Sequence, residues 1–287
     1  MRETFLPSGM DELWSMMDRY PEAALFAGGT DLFVRLRTRR NAFPALIGLE
    51  RIEELRAIRE DAVSVRIGAG ATFASLLTHP AVRAHFPVLI SALKRLGSPQ
   101  IRNMGTMGGN ICTASPAGDT LPPLYVLQAE VEIQSSLVSG GGSRNVPIAS
   151  FIAGPGQTSL KKGEIAVAVH IRKPEGSVLH HFEKVGQRKG MAIAVASLAA
   201  LLKTAGDGTV QHARLAWGSV GPTIVTSPEI DRFLEGRKIT AQVATAAAAL
   251  AREAVNPIDD LRATADYRRT VSGNLLLRLP LLRQEGL

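Results

Sequence analysis

Apolar residues fall at helix and strand spacings along most of the chain. Leu13, Met16, Met17 and Tyr20 recur three and four residues apart, the spacing of a short amphipathic helix. Ser8-Gly9-Met10-Asp11 reads as a capping box ahead of it, and Pro21 stops it. Residues 24–27 form a short apolar strand that runs into Gly28-Gly29-Thr30-Asp31, and 31–37 reads as helix. A second strand follows at 45–49, a turn of helix at 52–55, a strand at 63–69 and a helix at 73–77. Leu89, Leu93 and Leu96 share one face of a helix over 88–96, and Gly97 stands at its C′ position. A strand is expected at 129–134 and an exposed hairpin tip at 139–143. Over 164–171, Ile165, Val167, Val169 and Ile171 alternate, which predicts a half-buried antiparallel strand.

A compositional break falls at 172–177. Beyond it the pattern gives strands at 179–185 and 210–219, a strand or helix at 192–203, an Ala-rich helix at 240–254 and a last helix at 267–282. This second part reads as an α+β module of about 110 residues, an ordinary size for a small domain. Residues 98–119 are dense in Gly, Pro, Asn, Ser and Thr and read as a long loop, which in a compact domain is usually functional.

Composition narrows the function classes. The net charge is +7, but the one dense basic run, Arg35, Arg37, Arg39 and Arg40, has no interleaved aromatics, so nucleic acid is not expected. A solvated face or a docking surface for an acidic partner subunit fits the run better. The single cysteine, Cys112, excludes an intrachain disulfide and an iron–sulfur cluster held by this chain, and fits a reducing compartment. It reads as a small buried residue, since no histidine follows nearby to activate it. No two histidines stand at helical metal spacing, so a metal site is not expected. The first twenty residues resemble no secretory leader, and the apolar run at 192–202 is too short for a span of roughly 20 residues. A soluble, cytoplasmic protein is expected.

The candidate chemistry lies in two glycine-rich loops. Phosphates are bound by free backbone N–H groups at helix N-termini or in tight turns, and glycine allows both the dihedrals and the close approach. Gly28-Gly29-Thr30-Asp31 joins a strand to a helix, where such a site forms. Gly105-Thr106-Met107-Gly108-Gly109-Asn110 supplies three more glycines. The Gly-x-x-x-x-Gly-Lys-Ser/Thr loop of nucleoside triphosphatases is absent. So is the dinucleotide fingerprint, because Phe73 occupies the third glycine position after Gly68 and Gly70. Alone, Gly28-Gly29 is a weak signal and reads first as a plain strand–helix turn. Paired loops suggest a diphosphate gripped from two sides.

The stretch from Asn103 to Asp119 resembles the second flavin loop of the FAD subunits in the xanthine dehydrogenase (molybdenum hydroxylase) family, and Ala27-Gly28-Gly29-Thr30-Asp31 resembles their first. Gly68-Ala69-Gly70-Ala71-Thr72, Phe182-Glu183-Lys184-Val185 with Arg188 and Ile193-Ala194, and Asp260-Leu261-Arg262-Ala263-Thr264-Ala265-Asp266-Tyr267-Arg268 are similar in turn, so the resemblance runs in order along nearly the whole chain. It implies an α+β fold: a two-part FAD-binding domain of the vanillyl-alcohol-oxidase-like (PCMH) type over 1–173, with subdomains of about 1–55 and 56–173, then a smaller C-terminal α+β domain over 177–287.

It also implies a flavin electron-transfer subunit with no catalytic residue of its own. A large partner subunit would carry the molybdenum cofactor, and a small one the 2Fe–2S clusters. Electrons would leave through FAD to NAD⁺ or another acceptor, in a dimer of heterotrimers. By motif position, Ala27, Gly28, Gly29, Thr30 and Asp31 would meet the diphosphate, with Thr106, Gly109 and Asn110 on its other side. Thr113 and Asp119 would hold ribose or ribityl hydroxyls. Leu96 stands where the family often has an aromatic against the nucleotide. Ala166, or its neighbour Ile165, would pack near the isoalloxazine, and Lys184 would bring a cation to it.

Plainer readings exist: turn-formers at Thr113 and Asp119, an exposed ladder charge at Lys184, and domain-packing residues at Asp266 and Tyr267. Two other functions compete, a self-sufficient flavoprotein oxidase of the same fold and an assembly subunit without flavin. No histidine sits in either glycine loop to hold a covalent flavin. The cysteines of the family's benzoyl-CoA-reducing branch are also missing.

Overall fold

The structure is a computed structural model that describes residues 3–38, 43–136, 141–176, 178–188 and 190–280. Arg39 and Arg40, part of the 139–143 tip and the end of the last expected helix lie outside the described residues. The chain folds into two compact units. The first comprises 1–81, 98–114 and 129–172; the second comprises 82–97, 115–128 and 173–287.

The first unit opens with a parallel three-stranded sheet in the order β1 (Glu3–Phe5), β3 (Ala45–Gly48), β2 (Ala24–Phe26). Helix Met10–Arg19 turns its apolar stripe inward, and Leu13 is fully buried beside Ile47, Ile52 and Leu55. The cap is shifted by one residue from the expected box. Glu12, not Asp11, reaches back, its Oε2 accepting from Ser8 N at 2.7 Å and Ser8 Oγ at 3.0 Å.

An antiparallel five-stranded sheet follows in the order β4 (Ile58–Glu60), β5 (Ser64–Gly68), β10 (Glu164–Arg172), β6 (Glu130–Ser135), β7 (Gly142–Pro147). A small hairpin, β8 (Ile152–Gly154) with β9 (Gln157–Thr158), lies beside it in sequence. The half-buried expectation for 164–171 does not hold. Strand β10 is central, and Ala166 and Ala168 are covered as well as Ile165, Val167, Val169 and Ile171. Small side chains let something pack close on the second face as well.

The second unit holds a four-stranded antiparallel sheet in the order β11 (Val178–Gly186), β12 (Ala194–Thr204), β13 (Val210–Gly218), β14 (Val225–Thr226). The strand-or-helix segment is thus a strand, buried from Ala194 to Leu202. One face carries the core of Leu198, Leu202, Leu215 and Trp217 with helices Pro228–Leu234, Ala241–Ala254 and Ala265–Asn274. Helix Pro87–Arg95 packs on β11 and β12, and helix Leu121–Val126 on β12 and β13. Gly97 has φ +51°, as its C′ position requires. The last helix begins at Ala265, runs to Asn274 and passes into a 3₁₀ turn, Leu275–Arg278. Among the described residues, no helix is long and apolar enough to cross a membrane, and no three metal-binding side chains cluster.

Candidate functional site

The first loop lies where expected. Strand β2 ends at Phe26, and Gly29 turns with φ +66°. The Gly29 carbonyl accepts from Phe33 N at 3.0 Å, so helical bonding begins there and runs into helix Leu32–Thr38. Among the described residues, the amides of Gly28, Gly29, Thr30 and Asp31 have no intramolecular acceptor. They are donors to spare at a helix start, the requirement for an anion cradle. The Asp31 side chain faces outward and pairs with Arg35 at 2.7 Å, both about half exposed.

The second loop is not a loop. Its polar residues are helix caps. Ser98 Oγ accepts from Ile101 N at 3.3 Å and starts helix Pro99–Met104. Thr106 Oγ1 accepts from Gly109 N at 3.1 Å and starts helix Met107–Thr113, which ends on Ala114 at φ +47°. Most of the amides expected to face a phosphate are committed inside the protein: Met107 N to Ala71 O at 3.0 Å, Gly108 N to Ala69 O at 2.7 Å and Asn110 N to Thr106 O at 3.0 Å. What this side offers is the Thr106 hydroxyl proton and bare backbone at Gly109.

The glycines sort by what demands them. A Cβ on Gly28 would run into the Met104 carbonyl, so that glycine is required by the contact between the two loops. Gly105 and Gly108 are likewise hemmed in, by the Phe73 ring at 2.8 Å and the Ala69 carbonyl at 2.8 Å. Gly109 is exposed, and a Cβ there would meet only Thr106 Oγ1, at 3.0 Å. The fold thus leaves Gly109 as exposed bare backbone, on the same unit as the free amides of the first loop.

Two further predicted residues of this unit behave differently. Thr113 Oγ1 donates to Gly109 O at 2.8 Å, so its proton is used within the helix and it has only acceptor capacity left. Ala166 is buried at the β10 irregularity between Ala166 and Ala168, opposite Ile133. Cys112, expected to be buried, has an exposed surface, yet burial still pushes its thiol up to about 12.

The second unit holds Leu96, Asp119 and Lys184. Leu96 is buried at the end of helix Pro87–Arg95. Lys184 is no ladder charge: its side chain is 6% exposed and its Nζ donates to Asp119 Oδ2 at 2.6 Å. The Arg95 carbonyl lies 3.4 Å from the same ammonium. Asp119 is 8% exposed, and its Oδ1 is buried without a partner. Burial pushes the Asp119 carboxyl above its ordinary range, against the pull of Lys184. A buried carboxylate oxygen with no donor fits a ligand hydroxyl.

The C-terminal signature places its residues unlike the expectation. Asp266 and Tyr267 are exposed, so they do not pack the domain. The buried member is Arg268, bonded to Asp260 at 2.8 Å, and sequence reasoning gave it no role. The signal available was an arginine three residues before the apolar Val271 on a capped helix. Elsewhere in the first unit, Arg66, His170 and Gln134 surround Glu132 on the sheet. A cleft of about 930 Å³ lined by Arg51, Glu53, Arg56, Arg59 and Thr72 contains none of the predicted site residues.

Comparison with known proteins follows the two halves of the chain. Residues 1–174 match the family model described as the FAD binding domain in molybdopterin dehydrogenase, and 181–281 match the CO dehydrogenase flavoprotein C-terminal domain. The carbon monoxide dehydrogenase medium chain of Hydrogenophaga pseudoflava is 34% identical over 257 residues, 90% of this chain and 88% of the relative. The nicotinate dehydrogenase FAD-subunit of Eubacterium barkeri is 29% identical over 272 residues, 93% of this chain and 90% of that one. The solved carbon monoxide dehydrogenase of Hydrogenophaga pseudoflava lacking the Mo-pyranopterin moiety superposes with a TM-score of 0.90 at 31% identity, covering 96% of this chain and 95% of that one. With both halves matched and the fold shared along nearly its whole length, this chain belongs to the FAD-binding subunits of the molybdopterin dehydrogenases, and is an oxidoreductase subunit.

Proposed function

We propose that this chain passes electrons from the 2Fe–2S clusters of a small partner subunit through FAD to NAD⁺ or another acceptor. A large subunit with the molybdenum cofactor would oxidise the organic substrate, within a dimer of heterotrimers. The observation that carries the reading is the run of amides at Gly28, Gly29, Thr30 and Asp31 without an intramolecular acceptor, on the unit that also leaves Gly109 as exposed bare backbone. When bound, flavin supplies the exchange between single electrons and a hydride pair.

The residues of this chain bind and orient. The amides at Gly28, Gly29, Thr30 and Asp31, with Ala27 leading in, donate to the diphosphate. Thr106 and Asn110 donate to it from the second helix, and Gly109 admits it. Thr113 and Asp119 accept from sugar hydroxyls. Leu96 and Ala166 give apolar contact, and Lys184 supplies the cation.

The test begins with the purified chain and added FAD, which should show flavin absorbance and release FAD on denaturation. Gly109→Val should weaken FAD binding about 10–100-fold, the worth of one or two hydrogen bonds to a charged group, with an unchanged melting temperature. Gly28→Val should instead lose the fold through its collision with Met104. A Gly109→Val chain with full flavin affinity refutes the site. Co-purification of a molybdenum subunit and an iron–sulfur subunit tests the assembly, and NADH-to-dye electron transfer tests the acceptor.

A further inference from the structure

The Asp260–Arg268 signature has no part in the function above, yet it forms a buried polar centre in the second unit. Arg268 is 2% exposed. Its NH2 donates to Asp260 Oδ1 at 2.8 Å. Its NH1 reaches three acceptors: Val195 O at 2.8 Å, Ser219 O at 2.9 Å and Ser219 Oγ at 3.2 Å. Asp260 is fixed in turn by Arg262 N at 2.7 Å and Ala263 N at 3.2 Å. A guanidinium this deeply buried is retained at a cost, so its geometry is under strong constraint.

The acceptors show what it constrains. Ser219 has φ +67°, a conformation few non-glycine residues keep without support. It is held by Arg268 and by its own Oγ, which donates to Ala194 O at 2.7 Å. Held so, the Ser219 amide donates to Pro116 O at 2.8 Å. Pro116 lies three residues before Asp119, in a turn closed by Gly118 N to Ser115 O at 2.9 Å. The other acceptor, Val195 O, lies at the start of β12, which pairs with the β11 end that carries Lys184, Ser197 opposite Lys184 itself. One guanidinium therefore fixes both the turn ahead of Asp119 and the strand beside Lys184.

We propose that Arg268, with Asp260, is a positioning residue for the flavin site, locking the Asp119–Lys184 pair through Ser219 and the start of β12. It touches no flavin and acts through the pair. This rests on the assignment of Asp119 and Lys184 to the flavin.

The test uses the full chain with added FAD and compares wild type with Arg268→Lys, Arg268→Met and Ser219→Ala. Each is followed by FAD dissociation constant, flavin visible circular dichroism, midpoint potential and thermal melting. Arg268→Met should raise the dissociation constant at least tenfold, alter the flavin dichroism and lower the potential, because the Lys184 cation is no longer held in place. Arg268→Lys should recover part of each, since one ammonium cannot serve Asp260, Val195 and Ser219 together. Ser219→Ala should move the same readouts less. Should Arg268→Met yield no folded chain, Arg268→Lys and Ser219→Ala carry the test. Folded variants with wild-type affinity, dichroism and potential overturn the proposal. A wild-type chain that takes up no FAD sinks the flavin assignment instead, so the two failures are distinct.

Discussion

Replacing Lys184 by Met keeps the buried stem and removes the ammonium. Asp119 then loses the partner of Oδ2 while Oδ1 already lacks one. Breaking a buried pair in this way typically costs about 3–5 kcal/mol, because an uncompensated charge stays inside. The cost depends on pH in a direction the structure fixes. Burial already raises the Asp119 carboxyl, and Lys184 opposes that rise. Without Lys184 the carboxyl rises further. A folded-state value above the unfolded one, near 3.9, favours the protonated carboxyl in the fold. The penalty is therefore absent below about pH 4 and grows as pH climbs, by at most ~1.4 kcal/mol per pH unit. Urea unfolding of Lys184→Met should show a loss of about 3–5 kcal/mol at pH 8, shrinking to about 1 kcal/mol at pH 5. Asp119→Asn with Lys184→Met should recover most of the loss at pH 8. Equal losses at both pH values, with no coupling in the double-mutant cycle, would refute a buried charged pair.

Two other carboxylates give independent checks. Burial raises Glu132, but hydrogen bonds from Arg66, His170 and Gln134 outweigh it and hold the group at about 2. Its stabilisation is present above the unfolded value, near 4.3, and is lost as pH falls toward 2. Glu132→Gln should cost about 1–3 kcal/mol at pH 7 and little at pH 2, read from acid unfolding; a deficit unchanged by pH would contradict this. Asp231 is pushed up to about 7, mainly by burial and further by Glu235, against the Leu215 amide that bonds it. That raised value favours the fold only in acid, and the penalty grows as pH rises from about 4 to 7. Asp231→Asn keeps an acceptor for Leu215 and should gain about 1–3 kcal/mol at pH 8 with none at pH 4, measured by thermal melting; no gain at pH 8 would count against it.

Local pattern carried the element types well where a stripe met a single core. Leu13 was legible because burial follows the period, whereas the Ile165–Ile171 alternation gave the strand but not its second buried face, which Ala166 and Ala168 form. The 98–119 segment was misread because Ser98 and Thr106 look like loop residues, whereas each opens a helix of six or seven residues too short to show a stripe. The two glycine-rich segments were legible as a pair, but the share of the work between their glycines was not. Which glycine is demanded by neighbours and which is left open depends on Met104, Phe73 and Ala69, and no spacing rule states that. The Asp119–Lys184 pair spans 65 residues, and the Arg268–Val195 bond 73. Long-range polar pairs of this kind leave no periodic trace in a single sequence.

The way the second unit is threaded has a consequence for synthesis. Helices Pro87–Arg95 and Leu121–Val126 leave the ribosome well before β11, β12 and β13, the strands they cover. At an elongation rate of about 5–20 residues per second, their apolar faces wait several seconds for the sheet. Val88, Leu89, Leu93 and Leu124, all fully buried in the finished fold, are solvent-exposed or chaperone-held during that interval. A chain released at residue 172 would keep both helices and never gain their partner strands, so it should associate through them. The nascent protein is thus most vulnerable midway through translation, and a pause before β11 is the point where aggregation would start.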